Sequence, residues 1–147
     1  MYNLILVLHI LAATIWTGGH LFLVLGLLPK VLKTNDYQML LDFERVYERV
    51  GIPALLIQVV SGFYLAYRLV PDISRWFSFS DHLSIHVGVK LLLLLGTICL
   101  ALVANFVIIP NLSKGNNLKI MSVLAFIVTI FAVLFVVVGV SFRLFIF

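Results

Sequence analysis

Five ionisable side chains lie within otherwise apolar stretches of the chain: His9, His20, His82, His86 and Lys90. An ionisable group in hydrocarbon is costly, so each one marks a candidate site. His82, His86 and Lys90 follow at four-residue spacing, which lines them along one face of a helix. His9 and His20 are eleven residues apart, and that spacing puts them on a shared face, roughly 16 Å from one another. Counting about 1.5 Å per residue from the helix ends places His9 near the depth of His86, with His82 above and Lys90 just below. Imidazoles at one level on two parallel helices suit a metal ion or the axial positions of a haem. His20 falls deeper, near the level expected for Gln58, Ser61, Cys99 and Thr129, and is the one imidazole there.

Two site readings follow. In the first, His9, His82 and His86 take a metal ion, copper being suited to imidazole, and His20 receives it deeper in the membrane. In the second, His9 and His86 are the axial ligands of haem b, with Lys90, Arg68, Arg75 or Arg143 as cations for its propionates. Against both stands a plain structural reading. A histidine at the end of a span, such as His82, is ordinarily an interfacial residue, and Cys99 reads as a small packing residue. The glycines Gly18, Gly19, Gly62, Gly88 and Gly96 permit close helix approach, and Gly18-Gly19 beside His20 also makes space for a cofactor.

The elements that must position these groups are transmembrane helices. Hydrophobic residues make up 63% of the 147 positions and charged residues 11%, with a mean hydropathy of +1.21, well outside the range of soluble domains. The expected fold is all-α: one integral membrane domain, a polytopic four-helix bundle with spans at about 3–29, 52–70, 82–109 and 119–145. Pro29, Pro71 and Pro110 mark span ends, Pro53 suits the first turn of the second span, and Asp81 reads as the N-cap of the third. Between the first two spans, residues 36–50 carry apolar positions three and four apart with acidic and basic residues between them. They predict a short amphipathic helix that lies at the interface or extends the second span.

The charges carry topology rather than ligand-binding information. No basic-aromatic interleaving of the nucleic-acid kind is present. Lys30, Lys33, Arg45, Arg49, Lys114 and Lys119 fall on one side of the bundle, and Arg68, Arg75 and Arg143 on the other. That bias places both termini outside. The sequence before the first span has no basic n-region and no cleavage site, so the first helix is expected to be retained. A single cysteine excludes an intrachain disulfide.

The run from His9 through Trp16 to Gly18-Gly19, continuing to Leu28-Pro29, resembles the opening helix of CopD-type copper resistance membrane proteins. The stretch Val87 to Leu95 with Lys90, ending in Asn105 and Pro110, resembles the lysine-bearing helix of that family. Together these cover roughly half the chain, and they carry over His9, Trp16, Gly18, Gly19 and Lys90. The resemblance implies a bacterial inner-membrane protein that moves copper between periplasm and cytoplasm, with a periplasmic copper carrier as partner. This chain differs in having four spans, about half the number of the longer relatives, and no methionine-rich stretch. In length, span count, first-helix histidine and third-helix lysine the chain is also similar to the HemJ type of protoporphyrinogen oxidase. That weaker likeness implies a haem-dependent membrane oxidoreductase with a redox partner. Trp16 is here followed by Gly-Gly, and the arginine expected soon after the proline is missing. The sequence leaves open whether the chain forms a homo-oligomer.

Overall fold

The computed structural model describes residues 1–113 and 117–144, the side chains of residues 143 and 144 excepted. The expected fourth-span end at Phe145, the charge of Lys114 and the Arg143 side chain lie outside the described residues. Four helices are long and apolar enough to cross a membrane: α1 Tyr2–Thr34, α2 Tyr37–Leu69, α3 His82–Asn111 and α4, which runs Asn117–Leu144. They form an all-α bundle, and the chain is a multi-pass membrane protein.

The surface is apolar and much of the polar chemistry is inside. Leu25, Val60 and Phe106 are at least 70% exposed, whereas Thr17, Gln58, Ser61, Ser84, His86, Thr97, Ser122, Thr129 and Ser141 are buried. In lipid the backbone must satisfy itself, and small hydroxyls can join it. Thr97, Ser122, Thr129 and Ser141 each donate to the carbonyl four residues earlier, at 2.7–2.9 Å.

Proline shapes two of the helices in the same way. A proline lacks an N–H and its ring presses on the carbonyl four residues back, so the ladder ahead of it must rearrange. In α1 the segment Phe22–Leu27 is π-helical and precedes Pro29. In α3 the segment Ala104–Ile108 is π-helical and precedes Pro110. Pro53 behaves differently from expectation. Instead of opening the second span it lies inside α2, which is continuous over 33 residues. The amphipathic stretch 36–50 is therefore the first half of α2, the second of the two placements anticipated for it.

The turn between α1 and α2 is two residues long. Asn35 closes α1 in the left-handed conformation at φ 54°, and the Asp36 carboxylate accepts from the N–H groups of Gln38 and Met39 to open α2. Asn and Asp suit these roles because a short polar side chain tolerates positive φ and caps free N–H groups. So tight a reversal makes α2 pack antiparallel on α1 from its first turn. At the other end, Val70 leads through the 3-10 turn Ile73–Phe77 to Asp81, which caps α3 in a capping box with Ser84. The Ser84 N–H, then the Ser84 hydroxyl and Arg75, hold the Asp81 carboxyl below its ordinary range.

In the bundle α1 packs on α2 and α4, and α3 packs on α4. Helices α1 and α3 lie on a diagonal, and α2 and α3 do not form a packed pair. An apolar cluster around Leu23, Val31, Leu40, Ile108, Leu112 and Met121 closes the end that holds the Asn35 turn. A smaller one, Val70, Trp76 and Val87, closes the end that holds the chain terminus.

Candidate functional site

His9 is held by α2. Ser61 Oγ lies 2.8 Å from His9 Nδ1 and donates its own proton to the Ile57 carbonyl. A hydroxyl has one proton, so His9 Nδ1 must be the donor in the shared bond, and its lone pair sits on Nε2. Gly62 makes room for the ring: a Cβ there would be 3.2 Å from His9 Cε1. Gln58, 9% exposed, is on the same stretch of α2, and its Oε1 is buried with no hydrogen-bond partner among the described residues.

Lys90 reaches the same level from α3. Thr17 donates to Ala132 O, and the Thr129 hydroxyl, which donates to Ala125 O, lies 3.3 Å from His20 O; the two contacts set the register of α1 on α4. Continued two turns along α1, that register sets His9 opposite Val140. The Lys90 ammonium arrives beside the neighbouring Gly139, 3.3 Å from where a Cβ would stand, and lies 5.2 Å from the centroid of the Phe142 ring. It interacts electrostatically with His9. Among the described residues no carboxylate pairs with it.

His86 sits nearer the terminal end. It is 3% exposed, donates from Nδ1 to the His82 carbonyl at 2.7 Å, and packs on Phe142 at 4.8 Å between ring centroids. Its Nε2 also keeps a lone pair. The His82 and His86 rings touch, with centroids 4.2 Å apart. The four-residue stripe His82, His86, Lys90 is therefore present, but His9 meets Lys90 in it. Among the described residues no three His, Cys, Asp or Glu side chains converge to hold a metal ion. The expected His9, His82 and His86 metal cluster is not assembled. Of the other cations considered, Arg75 is engaged with Asp81 and Arg68 is exposed.

His20 has company that the spacing did not suggest. It donates from Nδ1 to Trp16 O at 2.9 Å and stacks against Trp16 with centroids 4.4 Å apart. The Tyr47 hydroxyl donates to the same carbonyl at 3.0 Å. The Tyr47 ring fills the space above Gly19, where a Cβ would fall 2.1 Å from Cε2, and it lies flat against Phe43. Gly19 thus accommodates a tyrosine of the chain itself, and Gly18 faces open space. Gln58 and Ser61, expected near His20, belong to the His9 level instead, and Cys99 is exposed on the outside of α3.

These groups surround a partly open cavity between α2 and α3, with about 810 Å³ of empty space, open surroundings included. Trp16, His20, Glu44, Tyr47, Glu48 and Thr97 supply its polar and aromatic wall. Glu44, Tyr47 and Glu48 were missed because the amphipathic stretch read as a surface helix. Their i, i+3, i+4 spacing was the available signal, since it puts all three on one face. No protein-family model, curated protein or solved structure matches the chain.

Proposed function

We propose that the chain is a haem-b protein of the bilayer, in which His9 and His86 supply imidazole ligands and Lys90 compensates the propionates. The observation that carries the reading is Lys90, whose ammonium lies beside Gly139, near the level of His9, with no carboxylate partner among the described residues. Such a cation attracts an anionic ligand and repels a metal cation that must pass or bind next to it. An imidazole-ligated group with carboxylates at its edge answers both the lysine and the histidines.

The donor state of the rings supports this fit. Both His9 and His86 spend Nδ1–H within the protein and keep Nε2 for ligation, and such a bond fixes the ring and raises its basicity. They stand on α1 and α3, which share no extensive helix-helix interface. Bound haem supplies one-electron redox chemistry. The chain's own part is to orient both imidazoles through Ser61 and the His82 carbonyl, to exclude water with Phe142, and to hold the positive charge of Lys90.

A CopD-like copper role is the second reading, and the His82–His86 ring contact favours it, since two adjacent imidazoles suit copper. In either case the charge bias supports both termini on the outer side, and the family resemblances imply a bacterial inner membrane with a redox partner or periplasmic copper carrier on that side. The test is to purify the protein in a mild detergent, record visible spectra before and after dithionite, and measure iron and copper. A Soret band with stoichiometric iron that is lost in His9→Ala and His86→Ala, and weakened in Lys90→Met but not Lys90→Arg, is the expected result. Stoichiometric copper without iron would replace this reading with the copper one. Neither metal, after expression with haem supplied, would overturn both.

A further inference from the structure

The cavity at the His20 level is distinct from the His9 and Lys90 site and has the opposite electrostatic character. Its wall presents acceptors. Tyr47 and His20 spend their protons on Trp16 O, and Thr97 spends its hydroxyl on Leu93 O at 2.8 Å. What remains toward a ligand is the lone pair of His20 Nε2 and the carboxylates of Glu44 and Glu48. Those carboxylates are one helical turn apart, half-buried, and within each other's field. No lysine or arginine among the described residues pairs with either. Two acidic side chains one turn apart without a counter-ion are relieved either by taking up a proton or by a bound cation, and the cavity gives a cation access to them.

Three further features narrow the ligand. The three polar donors already committed leave an N–H-bearing cation as the better guest. Trp16 and Tyr47 line the cavity as neighbouring rings, with centroids 6.3 Å apart. Most of the rest of the wall is aliphatic, including Leu55, Leu100, Leu124 and Val128, with Asn105, whose amide donates to the Ala101 carbonyl, as a further polar residue; the cavity lies where α2 and α3 do not pack, so a molecule dissolved in the bilayer has a way in from the side. Glu44, Glu48 and His20 do not converge as a three-donor metal site among the described residues.

We propose that this cavity binds an amphiphilic primary or secondary amine in its protonated form, the ammonium at Glu44 and Glu48 and the aliphatic part along α3 and α4. The direct test uses dodecylammonium, dodecanol and dodecanoate with the protein in nonionic micelles, read by tryptophan fluorescence. Trp16 lines the cavity, and a Trp16→Phe variant identifies its share of the signal against Trp76. Saturable binding of dodecylammonium is expected, about tenfold or more tighter than the chain-matched alcohol or carboxylate. In Glu44→Gln/Glu48→Gln that preference should collapse. Equal binding of all three probes to the unmodified protein, or a non-saturating response, would overturn the proposal, and this comparison needs no variant to fold. Retention of the amine preference in a double variant of native helix content would overturn it as well. An adverse result here leaves the haem measurement untouched, because Soret absorbance and iron content report the other site.

Discussion

Alanine at two adjacent glycines of α1 should act in opposite directions. Gly18 and Gly19 share a helix and a depth, so the gain in helix propensity on going to Ala, about 0.5–1 kcal/mol, is common to both. A Cβ on Gly18 meets nothing within 4 Å, so Gly18→Ala should show that gain alone. A Cβ on Gly19 would fall 2.1, 2.4 and 2.7 Å from Cε2, Cζ and Oη of Tyr47. Ordinary carbon contacts are about 3.5–4.0 Å, so the ring must retreat by more than ~1 Å. It has little room, because Phe43 stacks on it at 5.5 Å and its own helix runs beneath it at Gly51. Overpacking costs about 1–3 kcal/mol, and loss of the Tyr47 hydrogen bond to Trp16 O adds about 1 kcal/mol. Less the propensity gain, Gly19→Ala should be about 1–3 kcal/mol less stable than the parent, and about 2–4 kcal/mol below Gly18→Ala. Reversible unfolding in mixed micelles, followed by helix content, measures the difference. Two variants agreeing to within about 0.5 kcal/mol would refute the Tyr47 clamp.

Two further outcomes test the polar interior and the cap. Replacing Gln58 by Leu removes an acceptor buried without a partner among the described residues, so the cofactor-free protein should gain about 1 kcal/mol; a loss in thermal unfolding would mean that Oε1 is satisfied. The Asp81 carboxyl is held low by Ser84, so its contribution to folding is present above its unfolded pKa and disappears as pH falls through the folded value. Asp81→Asn should therefore be less stable than the parent at neutral pH and converge with it in acid, below about pH 4. A gap between the two unfolding midpoints that does not change with pH would rule out the carboxylate as the cap.

Much of the architecture is legible in the sequence because it rests on local rules. Apolar runs of sufficient length specify four spans, and Asp81 before an apolar helix specifies a cap that the Ser84 capping box supplies. Pro53 was misleading for a physical reason. The signal that a proline favours a first turn is statistical, whereas Tyr37 to Leu69 has enough packing on α1 to carry a proline within the helix. The site was partly legible. The spacing of His82, His86 and Lys90 gives their common face, but depth counting on separate helices cannot fix the register between helices. That register follows from the two-residue turn at Asn35 and Asp36, which brings Tyr47 onto Gly19 and Ser61 onto His9. Hence His9 meets Lys90, and His20 gains Tyr47 in place of Gln58 and Ser61.

The two polar levels are best understood together. His9 and His20 lie roughly 16 Å apart along α1, too far for Lys90 at one level to neutralise Glu44 and Glu48 at the other. Each charge is thus left without a protein partner among the described residues, an arrangement that folding alone does not favour, because apolar replacement of buried charge is often neutral or stabilising. Charge retained at that cost, with Nδ1 of His9, His86 and His20 each engaged within the protein, is compatible with ligands that complete the electrostatics. On the readings proposed above, the level with the ammonium would take an anionic, imidazole-ligated group, and the level with the carboxylates a cation. One bundle so built can hold a fixed cofactor at one depth and exchange a membrane-dissolved molecule at the other without the two competing for the same side chains.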